Sequence, residues 1–166
     1  MVDLVLDNID LRILQLMQGN ARIPNVDLAK QLEMAPSAVL ERVKKLEQKQ
    51  VILHYTTGIN PAAVGQKLLA FIFIRTRDGF GSGETGARLA GIEEVQEVHN
   101  VAGDDCYLVK VRTADSASLM ELMRGKFAQI QSIQSTKTTI VLETVKEEQK
   151  LVIPCQAEPG NPYRKK

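Results

Sequence analysis

The sequence predicts an α+β protein in which three helices precede a ferredoxin-like (βαββαβ) sandwich domain. Apolar residues recur at helical spacing through residue 53, whereas from His54 to Lys146 the period shortens to the two of a strand. In that second stretch the order reads strand, helix, strand, strand, helix, strand, the split βαβ arrangement, in which two helices can cover only one sheet face. A length of 166 residues suits one domain or two small ones, and 44% hydrophobic with 25% charged residues excludes wholesale disorder.

Asp7 caps a first helix that runs through Met17, with Ile9, Ile13, Leu14 and Met17 on one face and Gly19-Asn20 as its stop. Asn25 caps a second, short helix that turns Leu28, Ala29 and Leu32 inward. After a turn at Glu33-Met34-Ala35, Pro36 opens a third helix, where its missing N–H costs nothing. That helix reaches about Gln48 and buries Val39, Val43 and Leu46. Leu68–Thr76 is a strand apolar on both faces, Leu69, Phe71 and Phe73 on one and Leu68, Ala70, Ile72 and Ile74 on the other. A glycine-rich loop then leads to a short helix near Glu84–Gly91 and to strands Val95–Val101 and Cys106–Arg112. A helix over Ser116–Ile130 follows, and a strand over Ile133–Thr144 closes the domain. The tail from residue 147 loses periodicity, gathers Pro154, Pro159, Gly160 and Pro162, and reads as mobile.

Charge narrows the function. With 21 Lys+Arg against 20 Asp+Glu no bulk field points to nucleic acid or membrane, so any DNA site is local. From Arg42 to Lys49 four cations face one anion, Glu47, on the third helix. Asn25–Gln48 thus fits a helix-turn-helix whose second helix buries one stripe and offers the other to the major groove. Ser37, Ala38, Glu41, Arg42 and Lys45 are placed opposite the buried stripe, with Arg42 the foremost candidate for a bidentate guanine contact. Lys44 and Lys49 are placed to meet phosphates. An ordinary solvated helix face explains the same spacing about as well. No signal peptide and no apolar span of about 20 residues is present, which points to a cytoplasmic protein without a membrane partner.

These residues resemble a known family. LDNIDLRILQLMQGNARIPNVDLAKQLEMAPSAVLERVKKLEQKQVI, followed by HYTTGINPAAVG, is similar to the winged helix-turn-helix and linker of the Lrp/AsnC transcription regulators. VAGDDCYLVKVR resembles the turn of that family's ligand-sensing (RAM) domain. The resemblance covers about Leu6 to Lys146. It implies a winged helix-turn-helix domain over residues 1–53, a linker over 54–66, a ferredoxin-like sensing and oligomerisation domain over 67–146, and the tail 147–166. It further implies a homodimer that assembles into tetramers or octamers, double-stranded DNA as partner, and a small amino-acid effector. Two departures stand out. Ala35 replaces the serine that commonly precedes the proline, which removes a cap of about 1 kcal/mol. Gln50 stands where the family ends its recognition helix with glycine, so a strained exit is expected.

The effector residues implied by the resemblance are Gly103, Asp104, Asp105 and Cys106 in the turn and Thr136 and Thr138, with Thr139, on the last strand. Cys106 occupies the position where relatives commonly place an aspartate, so Asp104 or Asp105 would have to meet an effector's ammonium. A plain hairpin turn and ordinary strand threonines account for the same residues equally well. Enzymatic readings are weak. Gly81-Ser82-Gly83-Glu84-Thr85-Gly86 matches G-x-G-x-x-G, but too little chain follows for a doubly wound sheet. His99 and Cys106 would face each other only if the hairpin turns at Ala102-Gly103, and no third group orients the histidine. Two histidines and two distant cysteines form no spaced metal set, and no cofactor is expected. The reading is a sequence-specific, effector-responsive transcription regulator; the alternative is an effector-independent architectural DNA-binding protein.

Overall fold

Residues 5–77, 83–103 and 106–154 are described by a computed structural model of the chain. They divide into two compact units, residues 59–147 and residues 1–58 together with 148–166. Asp104, Asp105, Gly81 and Ser82, and with them part of the turn and of the glycine motif, lie outside the described residues.

The first unit is built on α1 (Asn8–Gly19), α2 (Asn25–Leu32) and α3 (Pro36–Gln48). Asp7 caps α1 in a reciprocal box, its side chain accepting from the Asp10 N–H at 2.8 Å while the Asp7 N–H donates back to Asp10. The start of α2 differs from expectation by one residue. Pro24 is the N-cap and Asn25 already helical, because Pro24 accepts from the Asp27 and Leu28 N–H groups. Ile13, Leu28, Ala29, Val39, Val43 and Leu46 form the core, and Leu6, Ile9, Leu14, Met17, Leu32 and Met34 are among the residues around it. Removing a side chain such as Ile13 or Leu28, both fully buried, should cost about 2–5 kcal/mol. No strand forms among the described residues before Leu68.

The tail expected to be mobile is bonded to α1 at Leu151 and Ile153. The Gln18 side chain clamps the Leu151 backbone, donating to its carbonyl and accepting from its N–H, both at 2.8 Å. Gln15 Nε2 donates to the Ile153 carbonyl. These backbone groups find partners on α1 rather than water, which periodicity cannot reveal.

The second unit carries β1 (Leu68–Thr76), α4 (Gly83–Ala90), β2 (Val95–Asn100), β3 (Tyr107–Thr113), α5 (Ser116–Gly125) and β4 (Ile133–Ile140). The strands lie in the order β2-β3-β1-β4, every pair antiparallel. Ala70, Ile72 and Ile74 of β1 and Tyr107, Val109 and Val111 of β3 pack with Leu89, Leu119, Leu122, Phe127 and Ile130 from the helical side. Gly86 permits the approach of α4, since a Cβ there would sit 3.1 Å from the Tyr107 ring. The expected helix to Ile130 ends instead at Gly125, and Phe127–Gln129 continue as a 3-10 turn that still buries Phe127. The last strand stops at Ile140 rather than Thr144.

Candidate DNA interface and ligand-sensing end

On α3, successive residues rotate by about 100°, so the exposed stripe opposite Val39, Val43 and Leu46 comprises Ser37, Glu41, Lys44, Lys45 and Gln48. Gln48 was missed by the sequence reading although the same arithmetic supplies it. Arg42 and Lys49 sit nearer the buried stripe, within about 60–80° of it, on a flank they share with the half-buried Ala38. With Glu41 and Lys45 these three line a groove of about 390 Å³ beside Asp10. The salt bridge Lys45–Glu41, at 3.3 Å, is solvent-exposed and weak, whereas among the described residues Lys44 and Lys49 have no anionic partner.

Arg42 is the main departure from expectation. Its Nη1 donates to Asp7 and to Asp10, both at 2.7 Å, and its side chain is only 29% exposed. Here the guanidinium is held by the two carboxylates that cap α1 rather than standing free on the exposed stripe. It fixes the pose of α3 on α1. Burial alone would raise the Asp7 carboxyl, but the Asp10 N–H and Arg42 outweigh it and hold it below its usual value. The hydrogen bonds to Asp7 and then Asp10 raise Arg42 in turn.

The helix exit is as strained as the sequence implied. Gln50 adopts φ 56°, and Val51 N–H donates to Leu46 O while Gln50 N–H donates to Glu47 O, both at 2.9 Å. This is a Schellman closure with glutamine where glycine is usual. Ala35 supplies no side-chain cap at the other end. Beyond the exit, the Tyr55 hydroxyl donates to Glu47 at 2.7 Å; burial, aided by that carboxylate, pushes it up to about 12.

In the second unit the helix-free sheet face is set by register. Leu69, Phe71 and Phe73 stand beside Arg112, Lys110 and Leu108 of β3, and Phe71 and Phe73 stand beside Thr139 and Lys137 of β4. Lys137 Nζ lies 5.9 Å from the Phe73 ring centroid. Lys110 bonds Glu97 and Glu147, and Arg112 bonds Glu147. Lys110 lowers the Glu97 and Glu147 carboxyls, helped at Glu97 by His99 and at Glu147 by Arg112. Burial opposes the charge on Lys110, yet Glu147 and Glu97 raise it above its ordinary value.

The predicted effector residues gather only loosely. Cys106 N–H donates to Ile74 O at 2.8 Å from one side of β1, and Thr136 stands opposite Ile74 on the other. Thr136 and Thr138 have the parity of the helix-covered face but lie exposed on an edge strand, while Thr139 belongs to the opposite face. Gly103, at φ 137°, is exposed. Cys106 is half-buried against the core. The hairpin register also corrects the His99–Cys106 pairing. Val101 N–H donates to Cys106 O, so His99 stands opposite Leu108 and its Nε2 lies 3.1 Å from Glu97 instead. A dinucleotide site is excluded on topology, since a sheet antiparallel at every pair has no parallel βαβ unit. At the carboxyl end of β1, unforeseen in the sequence, a polar cavity of about 370 Å³ opens between Arg77, α4 and Ser132.

A helix-turn-helix followed by a ferredoxin-like sensor defines a class, the two-part transcription regulator. Comparison with known proteins narrows it. Residues 6–47 match the AsnC-type helix-turn-helix domain and residues 69–151 the Lrp/AsnC ligand binding domain. The chain is 37% identical over 150 residues to the leucine-responsive regulatory protein of Haemophilus influenzae, covering 89% of this chain and 90% of that one. It is 35% identical to the Escherichia coli protein of the same name, over 89% of this chain and 92% of that one. Its fold superposes on Escherichia coli AsnC with a TM-score of 0.80 at 29% identity, covering 90% and 99% of the two chains. A feast or famine regulatory protein from M. tuberculosis, solved with L-methionine, gives 0.83 at 33% identity over 90% and 100%. The chain belongs to the Lrp/AsnC family of transcription regulators, which are not enzymes.

Proposed function

We propose that the protein is a sequence-specific DNA-binding regulator of the cytoplasm, working as a homodimer or larger assembly whose DNA binding responds to an amino acid. The observation that carries the DNA part is the exposed stripe of α3, where Ser37, Lys44, Lys45 and Gln48 can reach base edges and phosphates while Arg42 holds the helix in place. Lys49 adds charge from the flank. Self-association is supported by the sheet face that no helix covers, where Phe71, Phe73 and Leu108 are only half-buried. It would bring two α3 helices to two half-sites about one or more helical turns apart. An amino-acid effector is supported by the family's ligand-binding domain and by the relative solved with L-methionine. Its contacts would lie at the end of the sheet shared by Gly103, Cys106 and Thr136. Cys106 favours one rival, an architectural protein blind to effectors, because a thiol offers no charge to an ammonium. A selection of binding sites from random duplexes at fixed salt, repeated with each of the twenty amino acids, tests the reading. A single enriched motif whose occupancy shifts with one amino acid is expected; binding without sequence preference would refute it.

A further inference from the structure

We propose that the cavity at the carboxyl end of β1 binds an acidic α-amino acid, a ligand with two carboxylates and one ammonium; this rests on the reading of the second unit as an amino-acid sensor. The cavity is lined by Arg77, Glu84, Thr85, Arg88, Gln131 and Ser132, and its volume of about 370 Å³ suits a small molecule. Its charges set the ligand. Among the described residues two guanidiniums and one carboxylate line it, a net positive set that complements a ligand with two carboxylates and one ammonium. Among the described residues Arg77 and Glu84 have no side-chain partner. Arg88 Nη2 donates to the Gln129 carbonyl at 3.0 Å, which orients its guanidinium without neutralising it.

The walls are already tied together. Arg77 N–H donates to Ser132 O at 2.9 Å, and Ser132 Oγ lies 2.6 Å from the hydroxyl of Thr85, itself 1% exposed. The end of β1, the first turn of α4 and the approach to β4 are therefore held together before a ligand arrives, so the backbone that carries the charged side chains needs no further ordering. The first turn of α4 adds the positive end of a helix. Glu84 would receive the ammonium, the task that Cys106 cannot perform in the turn. Among the described residues every lining side chain is polar or charged, which favours a charged ligand over an aliphatic one.

Calorimetric titration of the full chain with L-glutamate, L-aspartate, L-leucine, L-methionine and glutarate, a glutamate without the ammonium, tests this. Glutamate or aspartate should bind once per chain. Arg77→Met and Arg88→Met should each weaken that binding about tenfold or more, with the thermal melt unchanged because both side chains are exposed. Glu84→Gln should abolish the preference for glutamate over glutarate. Equal affinity for glutarate and glutamate in the unmodified chain would overturn the proposal in favour of a plain anion site. Leucine or methionine binding that is indifferent to both arginine variants would overturn it while leaving the sensor reading intact. Absence of binding by glutamate and aspartate would overturn the proposal, and the site selection with each of the twenty amino acids described above still judges the sensor reading separately.

Discussion

The two units handle the same residue types in opposite ways. On α3, among the described residues Lys44 and Lys49 have no anionic partner and Lys45 has only a weak exposed one, so positive charge is left facing solvent. On the open sheet face, Lys110 and Arg112 are largely covered and matched to Glu97 and Glu147, so a face framed by cations is electrically quiet. Uncompensated cations suit a polyanion, because each phosphate contact releases counterions. Compensated ones suit burial against a like surface, where net charge would repel a second copy. Net charge alone, at +1, conceals this division.

The contrast can be broken from either side. Leu108→Glu sets an unmatched carboxylate between Phe73 and His99 on the quiet face. It should weaken self-association by at least about a hundredfold, roughly 3 kcal/mol, as read by sedimentation at micromolar concentration. Arg42→Ala frees Asp7 and Asp10 and should cost the helical unit about 1–2 kcal/mol in a denaturant titration, with the preferred DNA sequence unchanged. Lys44→Ala should do the reverse, sparing stability while reducing the slope of log affinity against log salt by about 0.9. Gln50→Gly relieves the left-handed strain and should raise stability by up to about 1 kcal/mol, visible as a higher denaturation midpoint.

The smallest effects are in pH. Asp7, Glu97 and Glu147 are depressed in the fold, so their stabilisation is present above ordinary carboxylate values of 3.8 and 4.5 and is lost as pH falls through the depressed ones. Both units should therefore soften together in acid. Tyr55 is raised, so what its bond to Glu47 contributes is present below pH 10 and is lost as pH rises toward about 12. The difference in tyrosinate absorbance between the chain and a Tyr55→Phe variant should report the raised titration of Tyr55.

What could be read from the chain was what is local and periodic. β1 was bounded correctly at both ends because its apolar run is closed by charge, and the buried stripe of α3 followed from spacing alone. The strain at Gln50 was legible because one position breaks an otherwise familiar helix exit. The ion pairs of Arg42 were not legible because its partners lie more than thirty residues away, at Asp7 and Asp10. A charged side chain 60° from the buried stripe looks the same in sequence whether it meets DNA or a neighbouring helix cap. The hairpin failed for another reason: two extra turn residues shift the pairing from His99–Cys106 to Val101–Cys106, and nothing in alternating apolar residues counts them. The cavity of Arg77 and Arg88 was invisible since its walls come from three separated segments.

The clamp of Gln18 on Leu151 has a consequence for synthesis. The helical unit uses residues from both ends of the chain, and residues 59–147 lie wholly between them. On the ribosome, at about 5–20 residues per second, α1 waits on the order of ten seconds for its last backbone partner while the sheet unit emerges and folds. The helix-turn-helix unit is thus begun first and finished last, and a truncated product would carry an α1 whose two glutamines still lack the segment they hold.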